Sequence, residues 1–130
     1  MENLTTFSFR YGRNDGYFVW YRLTQLDTEQ AEVQLDTFIT ERKQDTFCIP
    51  ISKSDILWEK LQAYHISEWD GFCQMEQCLC AGDGWALHIR TTSGKEIHAM
   101  GHSAYPEHFQ EVKELLQDIF AYIFPKYKVV

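Results

Sequence analysis

The sequence predicts one α+β domain over residues 1–130, an antiparallel sheet of about six strands with two helices packed on one face. Three observations carry this reading. Apolar residues alternate with period two in short runs beginning near Phe7, Tyr17, Val33, Phe47, Trp85 and Ile97, the spacing of strands with one buried face. Two other segments, after Ile51 and after Tyr105, carry apolar residues at helical spacing instead. Short polar or glycine-bearing turns join the strand runs in pairs, which suits hairpins rather than helical crossovers.

In the first pair, Phe7, Phe9 and Tyr11 share one parity, and Gly12-Arg13-Asn14-Asp15-Gly16 turns the chain into Tyr17 to Thr24. Phe18 and Trp20 lie on one face of that strand and Val19, Tyr21 and Leu23 on the other. Apolar on both faces, it belongs inside the sheet. Val33, Leu35 and Ile39 form a third strand, and Phe47, Ile49 and Ile51 a fourth, with Pro50 suiting a strand end or an edge. Ser52-Lys53-Ser54-Asp55 has the form of a capping box with Ser52 as N-cap, and Ile51 and Ile56 occupy staple positions. A helix is expected from there to about His65, using Leu57, Leu61 and Tyr64 with Trp58 beside them.

Trp69-Asp70-Gly71-Phe72 reads as a turn held by two aromatics, and Met75 to Cys80 as a short strand. In the C-terminal hairpin, a Thr92-Ser93-Gly94 loop with Gly94 in the left-handed region puts Trp85, Leu87 and Ile89 opposite Gly101, Ala99 and Ile97. The same register pairs His88 with His98 and Arg90 with Glu96 on the other face. Pro106 fits the first position of the last helix, whose stripe would be Phe109, Val112, Leu115, Leu116, Ile119 and Ile123, ending at Pro125.

Composition narrows the function classes. With 45% apolar and 15% aromatic residues, three prolines and seven glycines, the whole length should fold. A net charge of −7 argues against direct nucleic-acid binding and would favour a basic protein patch as partner. Met1 to Phe7 has neither a basic nor an apolar leader pattern, and the most apolar run, Ile119 to Phe124, is far shorter than the roughly 20 residues of a spanning helix. A cytoplasmic protein with no membrane association is expected, with Cys48, Cys73, Cys78 and Cys80 as reduced thiols.

The stretch Trp69-Asp70-Gly71-Phe72, Gly82-Asp83-Gly84-Trp85-x-Leu87-x-Ile89, Gly94, Gly101 and Ala104-Tyr105-Pro106-x-x-Phe109 resembles an uncharacterised bacterial α+β domain family. That family pairs a Trp-Asp-Gly-Phe turn with a Gly-x-x-Ala-Tyr-Pro helix entry. The resemblance covers about a third of the chain strongly and the Phe-x-Phe-x-Tyr-Gly start loosely. Where the family has Gly-Ser-Asn-Ala, this chain reads Gly101-His102-Ser103-Ala104. The likeness implies a bacterial or phage origin and an α+β fold, and carries over no catalytic residues.

Several constellations bear on chemistry. Cys73-x4-Cys78-x-Cys80, with His65 and His88 around it, offers zinc-type ligands at a spacing unlike a knuckle, and three unrelated buried thiols are the simpler account. The inferred His88/His98 pair would clamp a metal or titrate together, or else be two histidines on a half-exposed face. No metal or other cofactor is assigned. Asp70 and Asp83 lie in glycine turns, where Asp is first of all turn chemistry, and no serine sits in a nucleophile elbow. Trp69, Trp20, Tyr17 and Tyr21 are candidate surface anchors. The expected binding region is therefore Trp69, Asp70, Gly71 and Phe72 together with Gly101, His102, Tyr105 and Pro106. The expected function is a non-catalytic protein-interaction module of inhibitor or immunity type. Its alternatives are a small-ligand or nucleotide-binding domain, and then a metal- or thiol-dependent enzyme.

Overall fold

The computed structural model describes residues 2–75 and 83–129. Among them, β1 (Leu4–Gly12), β2 (Phe18–Gln25), β3 (Gln30–Phe38), β4 (Arg42–Pro50), β5 (Cys73–Met75), β6 (Gly84–Thr91) and β7 (Glu96–His102) form one sheet in the order β4-β3-β2-β1-β6-β7-β5. The helices are α1 (Ile51–Ala63) and α2 (Phe109–Asp118). A 3-10 turn spans Ile66–Trp69, and α2 runs on through a π turn at Ile119–Ile123 into a 3-10 turn at Phe124–Tyr127.

The three expected hairpins are present, and β2 lies inside the sheet between β1 and β3. In the C-terminal hairpin the register is the expected one, with Leu87 opposite Ala99, His88 opposite His98 and Arg90 opposite Glu96. Gly94 adopts φ +87° in its turn, a conformation that side chains with a Cβ take at a cost. The central strand is β1, bonded to β2 on one side and to β6 on the other, with Phe9 opposite both Tyr21 and Leu87.

The expectation of about six antiparallel strands holds only in part: among the described residues the sheet has seven strands and is mixed. The strand β5 runs parallel to β7, Cys73 opposite Met100. All three of its residues are exposed, so it has no apolar alternation to betray it. Main-chain bonds dock it instead, from the Gly71 N–H to the His98 carbonyl and from the Met100 N–H to the Phe72 carbonyl, both 2.9 Å. Apart from Met75, the strand expected over Met75 to Cys80 lies outside the described residues.

Both helix starts also differ from expectation. The N-cap of α1 is Pro50 and not Ser52, with no side-chain cap bond; Ser54 donates to the Ile51 carbonyl at 2.7 Å. Pro50 ends β4 and its ring sets the φ that leads into the helix, so the turn needs no hydroxyl cap. Helix α2 begins at Phe109 after His108 in the left-handed region, placing Pro106 in the preceding turn, whose carbonyl accepts from the Phe109 N–H. The π turn rotates the apolar stripe at the end of this helix. Phe120 and Phe124 are buried there, while Leu115 and Ile123 are only partly so.

One core holds the layers together. Phe7, Phe9 and Tyr11 of β1, Val19, Tyr21 and Leu23 of β2, and Trp85, Leu87 and Ile89 of β6 meet Leu57, Trp58 and Leu61 of α1 and Phe109, Val112 and Leu116 of α2. Each large side chain removed from water contributes about 1.5–3 kcal/mol. Alternation sends the other parity, including Ser8, Arg10, Trp20, Arg22, His88, His98 and Met100, to the opposite face, which no helix of the described residues covers.

Candidate functional site

The Trp69 to Phe72 turn and the Gly101 to Pro106 helix entry come together, and what joins them is core. Trp69 is buried, stacks on Phe109 with ring centroids 5.9 Å apart, meets Trp85 edge-on at 5.7 Å, and donates its indole N–H to the Glu107 carbonyl at 3.2 Å. Trp85 fills the space between the two segments and donates its own indole N–H to the Ala104 carbonyl at 2.9 Å. Gly101 lies so close beneath it that a Cβ would sit 2.6 Å from the Trp85 Nε1 and against the Ala104 carbonyl oxygen. Asp70 accepts the His98 N–H at 2.9 Å, and Gly71 takes φ +85°.

The remaining predicted site residues fall on two sides of this wall. Gly71 and Phe72 reach the helix-free face of the sheet, while Tyr105, 44% exposed, and Pro106 border a smaller hollow with Tyr11, Asp83, His108 and Lys113. In that hollow Tyr11 and Tyr105 both donate to Asp83 Oδ2. Burial first, and then the carboxylate, push the Tyr11 hydroxyl well above its ordinary value, so it stays a donor. Ser103 and His108, at φ 54° and 67°, hold the sharp course of the helix entry. His102 pairs across from Gly84, and its buried Nδ1 has no hydrogen-bond partner among the described residues.

The helix-free face carries a concavity of about 510 Å³ lined by Ser8, Arg10, Trp20, Phe72, His88 and Met100, with His98, Cys73 and the Gly71 backbone completing it. Trp20 is one of its lining residues. Its indole N–H donates to Ser8 Oγ at 3.0 Å, and the guanidinium carbons of Arg22 and Arg10 lie 4.0 and 5.7 Å from its ring centroid. Met100 is 53% exposed.

Charge on this face runs against the chain's average. Four of the five arginines, Arg10, Arg22, Arg42 and Arg90, are on strand positions of its parity. Arg42 is tied to Asp36 at 3.0 Å and Arg90 to Glu96 at 2.5 Å. Those bonds hold both carboxyls below the usual range. Arg10 and Arg22 form no ion pair with a carboxylate among the described residues, and the Arg22 Nε is buried without a partner.

Along one wall of the concavity, the His88 and His98 rings stack at 4.3 Å and 19°. Glu96, two residues before His98 on the same face, places Oε1 4.0 Å from His88 Nε2 and Oε2 3.8 Å from His98 Nε2. Burial, followed by the charge of His98, lowers the His88 pKa, and its Nε2 has no hydrogen-bond partner among the described residues. Cys48 and Cys73 are free thiols, and Cys78 and Cys80 lie outside the described residues. No helix is long and apolar enough to cross a membrane among the described residues.

No family model, no curated protein and no solved structure matches this chain.

Of the four candidate anchors, Trp69 and Tyr21 are core, while Trp20 and Tyr17 are half-buried. Sequence reasoning placed Trp20 on its own parity but did not gather Ser8, Arg10, Arg22, Phe72 and Met100 around it. The available signal was a strand apolar on both parities in a protein with helices for only one face.

Proposed function

We propose that this chain is a non-catalytic protein-interaction module of inhibitor or immunity type, of bacterial or phage origin and working in the cytoplasm. In this reading it binds an acidic partner surface through the helix-free face of its sheet. The observation that carries the reading is Trp20, half-buried between Arg10 and Arg22 in a shallow concavity edged by Phe72 and Met100. Trp and Arg are the residues most enriched at binding hot spots, and an indole already desolvated on one side loses little entropy when a partner covers the other. Two guanidiniums without carboxylate partners among the described residues match carboxylates presented by the partner.

The test is a matched capture from source-organism lysate with the wild-type chain, Trp20→Ala, Arg10→Glu and a Glu59→Lys control on the exposed side of α1. One defined protein should be retained by wild type and by the control and lost with Trp20→Ala and Arg10→Glu. If no retained protein distinguishes the face variants from the control, the reading falls.

The volume of the concavity favours a second reading, a small planar ligand held between Trp20 and Phe72. Thermal-shift screening with aromatic carboxylates and nucleotides separates it from the first, since a bound ligand raises Tm and Trp20→Ala abolishes the rise.

A further inference from the structure

We propose that His88, His98 and Glu96 form a divalent transition-metal site of the zinc class on the β6–β7 hairpin. Strand geometry builds it. Directly opposed residues on antiparallel strands bring His88 and His98 side by side, and the period of two puts Glu96 on their face. The three ligand atoms lie within 4.8 Å of one another. Placing each of them at the roughly 2.0–2.2 Å from one ion that Zn–N and Zn–O bonds require means turning the two imidazoles out of their stack toward it.

Each ligand has an atom available. His88 Nε2 is enclosed and has no hydrogen-bond partner among the described residues. Arg90 directs both of its hydrogen bonds to Glu96 Oε1, leaving Oε2 beside His98 and fixing the carboxylate's rotamer as outer-shell partners do. Two imidazoles and one carboxylate select zinc-like ions over Mg²⁺ or Ca²⁺, which prefer all-oxygen shells. Three protein ligands leave a fourth position for water or for a donor atom of something bound on the same face. This site does not depend on the protein-interaction reading, because its ligands and its assay involve metal alone.

Co²⁺ is the probe, titrated into the chelator-stripped full chain and followed by its visible bands, with Zn²⁺ competition by calorimetry. The expected result is one ion per chain, spectra of nitrogen and oxygen ligation without thiolate charge-transfer bands, and displacement by Zn²⁺. His88→Ala and His98→Ala should each weaken binding at least about 10-fold, and Glu96→Gln by a similar factor. A Cys73→Ser, Cys78→Ser, Cys80→Ser triple variant should bind as wild type. The side chains of all three ligands face solvent on one side, and circular dichroism verifies that the variants fold. The site is refuted by the absence of stoichiometric binding, or by binding that survives both histidine substitutions or disappears with the cysteines.

Discussion

The residue that most constrains the helix entry is Gly101. It faces the helices between Trp85 and the Ala104 carbonyl, where any β-carbon meets backbone and an indole ring rather than a flexible side chain. Gly101→Ala must push Trp85 off the Ala104 carbonyl or move the entry loop, with a cost of about 2–3 kcal/mol from overpacking and the lost indole hydrogen bond. Urea denaturation of the variant should show that loss as a lowered midpoint with an unchanged m-value. A midpoint equal to wild type would mean that the loop yields freely. Trp69 teaches the complementary lesson: a tryptophan in a polar turn is here the stacking partner of Phe109 and belongs to the same packed wall.

Among the elements, the C-terminal helix shows how one local irregularity redirects packing. After Leu116 the π turn advances the chain so that Ile119, Phe120 and Phe124 face inward together. Phe120 then stacks on Tyr21 at 5.0 Å and on Phe7 at 5.7 Å, joining the helix to β1 and β2. Phe120→Ala is expected to cost about 3–5 kcal/mol, the range for removing a buried aromatic. Leu115→Ala, on the partly buried flank, should cost clearly less. Chemical denaturation of the two variants distinguishes this arrangement from an uninterrupted α-helix, in which Leu115 and Ile123 would matter more. The same elements leave β2 with Trp20 on its uncovered side, so the candidate site follows from having two helices for a two-faced sheet.

At the scale of the whole molecule, stability should fall in two steps as the solution is acidified. His88 has its folded pKa lowered beneath the ordinary 6.5. Its contribution is therefore present above that value and is lost as pH falls through the folded pKa, because the unfolded chain takes up the proton first. Asp36, lowered from 3.8 by Arg42, acts with the same sign in the lower window. Asp55 opposes it, since burial and then Glu59 raise its pKa and protonation favours the folded form. Urea midpoints measured in chelator from about pH 7.5 down to about pH 3 should decline in both windows, and His88→Gln should flatten the step above about pH 5 while leaving the lower one. An unchanged upper step in His88→Gln would assign it to another group.

Much of the fold was legible in the sequence because hairpins are local. Period-two alternation and turn chemistry gave the first two hairpins their strands, and in the C-terminal hairpin set the register of His88 against His98 with no knowledge of the rest of the chain. The histidine pair of the proposed metal site was legible for that reason, while the packing of Trp69, Phe72 and Phe109 around Trp85 was not. Other features required the tertiary structure. That β1 pairs with β6, about eighty residues away, and that three exposed residues at Cys73 dock parallel to β7, depend on contacts between distant segments. So does the sidedness of the sheet, which buries Trp69 and Tyr21 and leaves Trp20 between two arginines. A sequence pattern tells which residues share a face; only packing decides which face the helices cover, because that choice is made by the sum of long-range burial and not by any one residue.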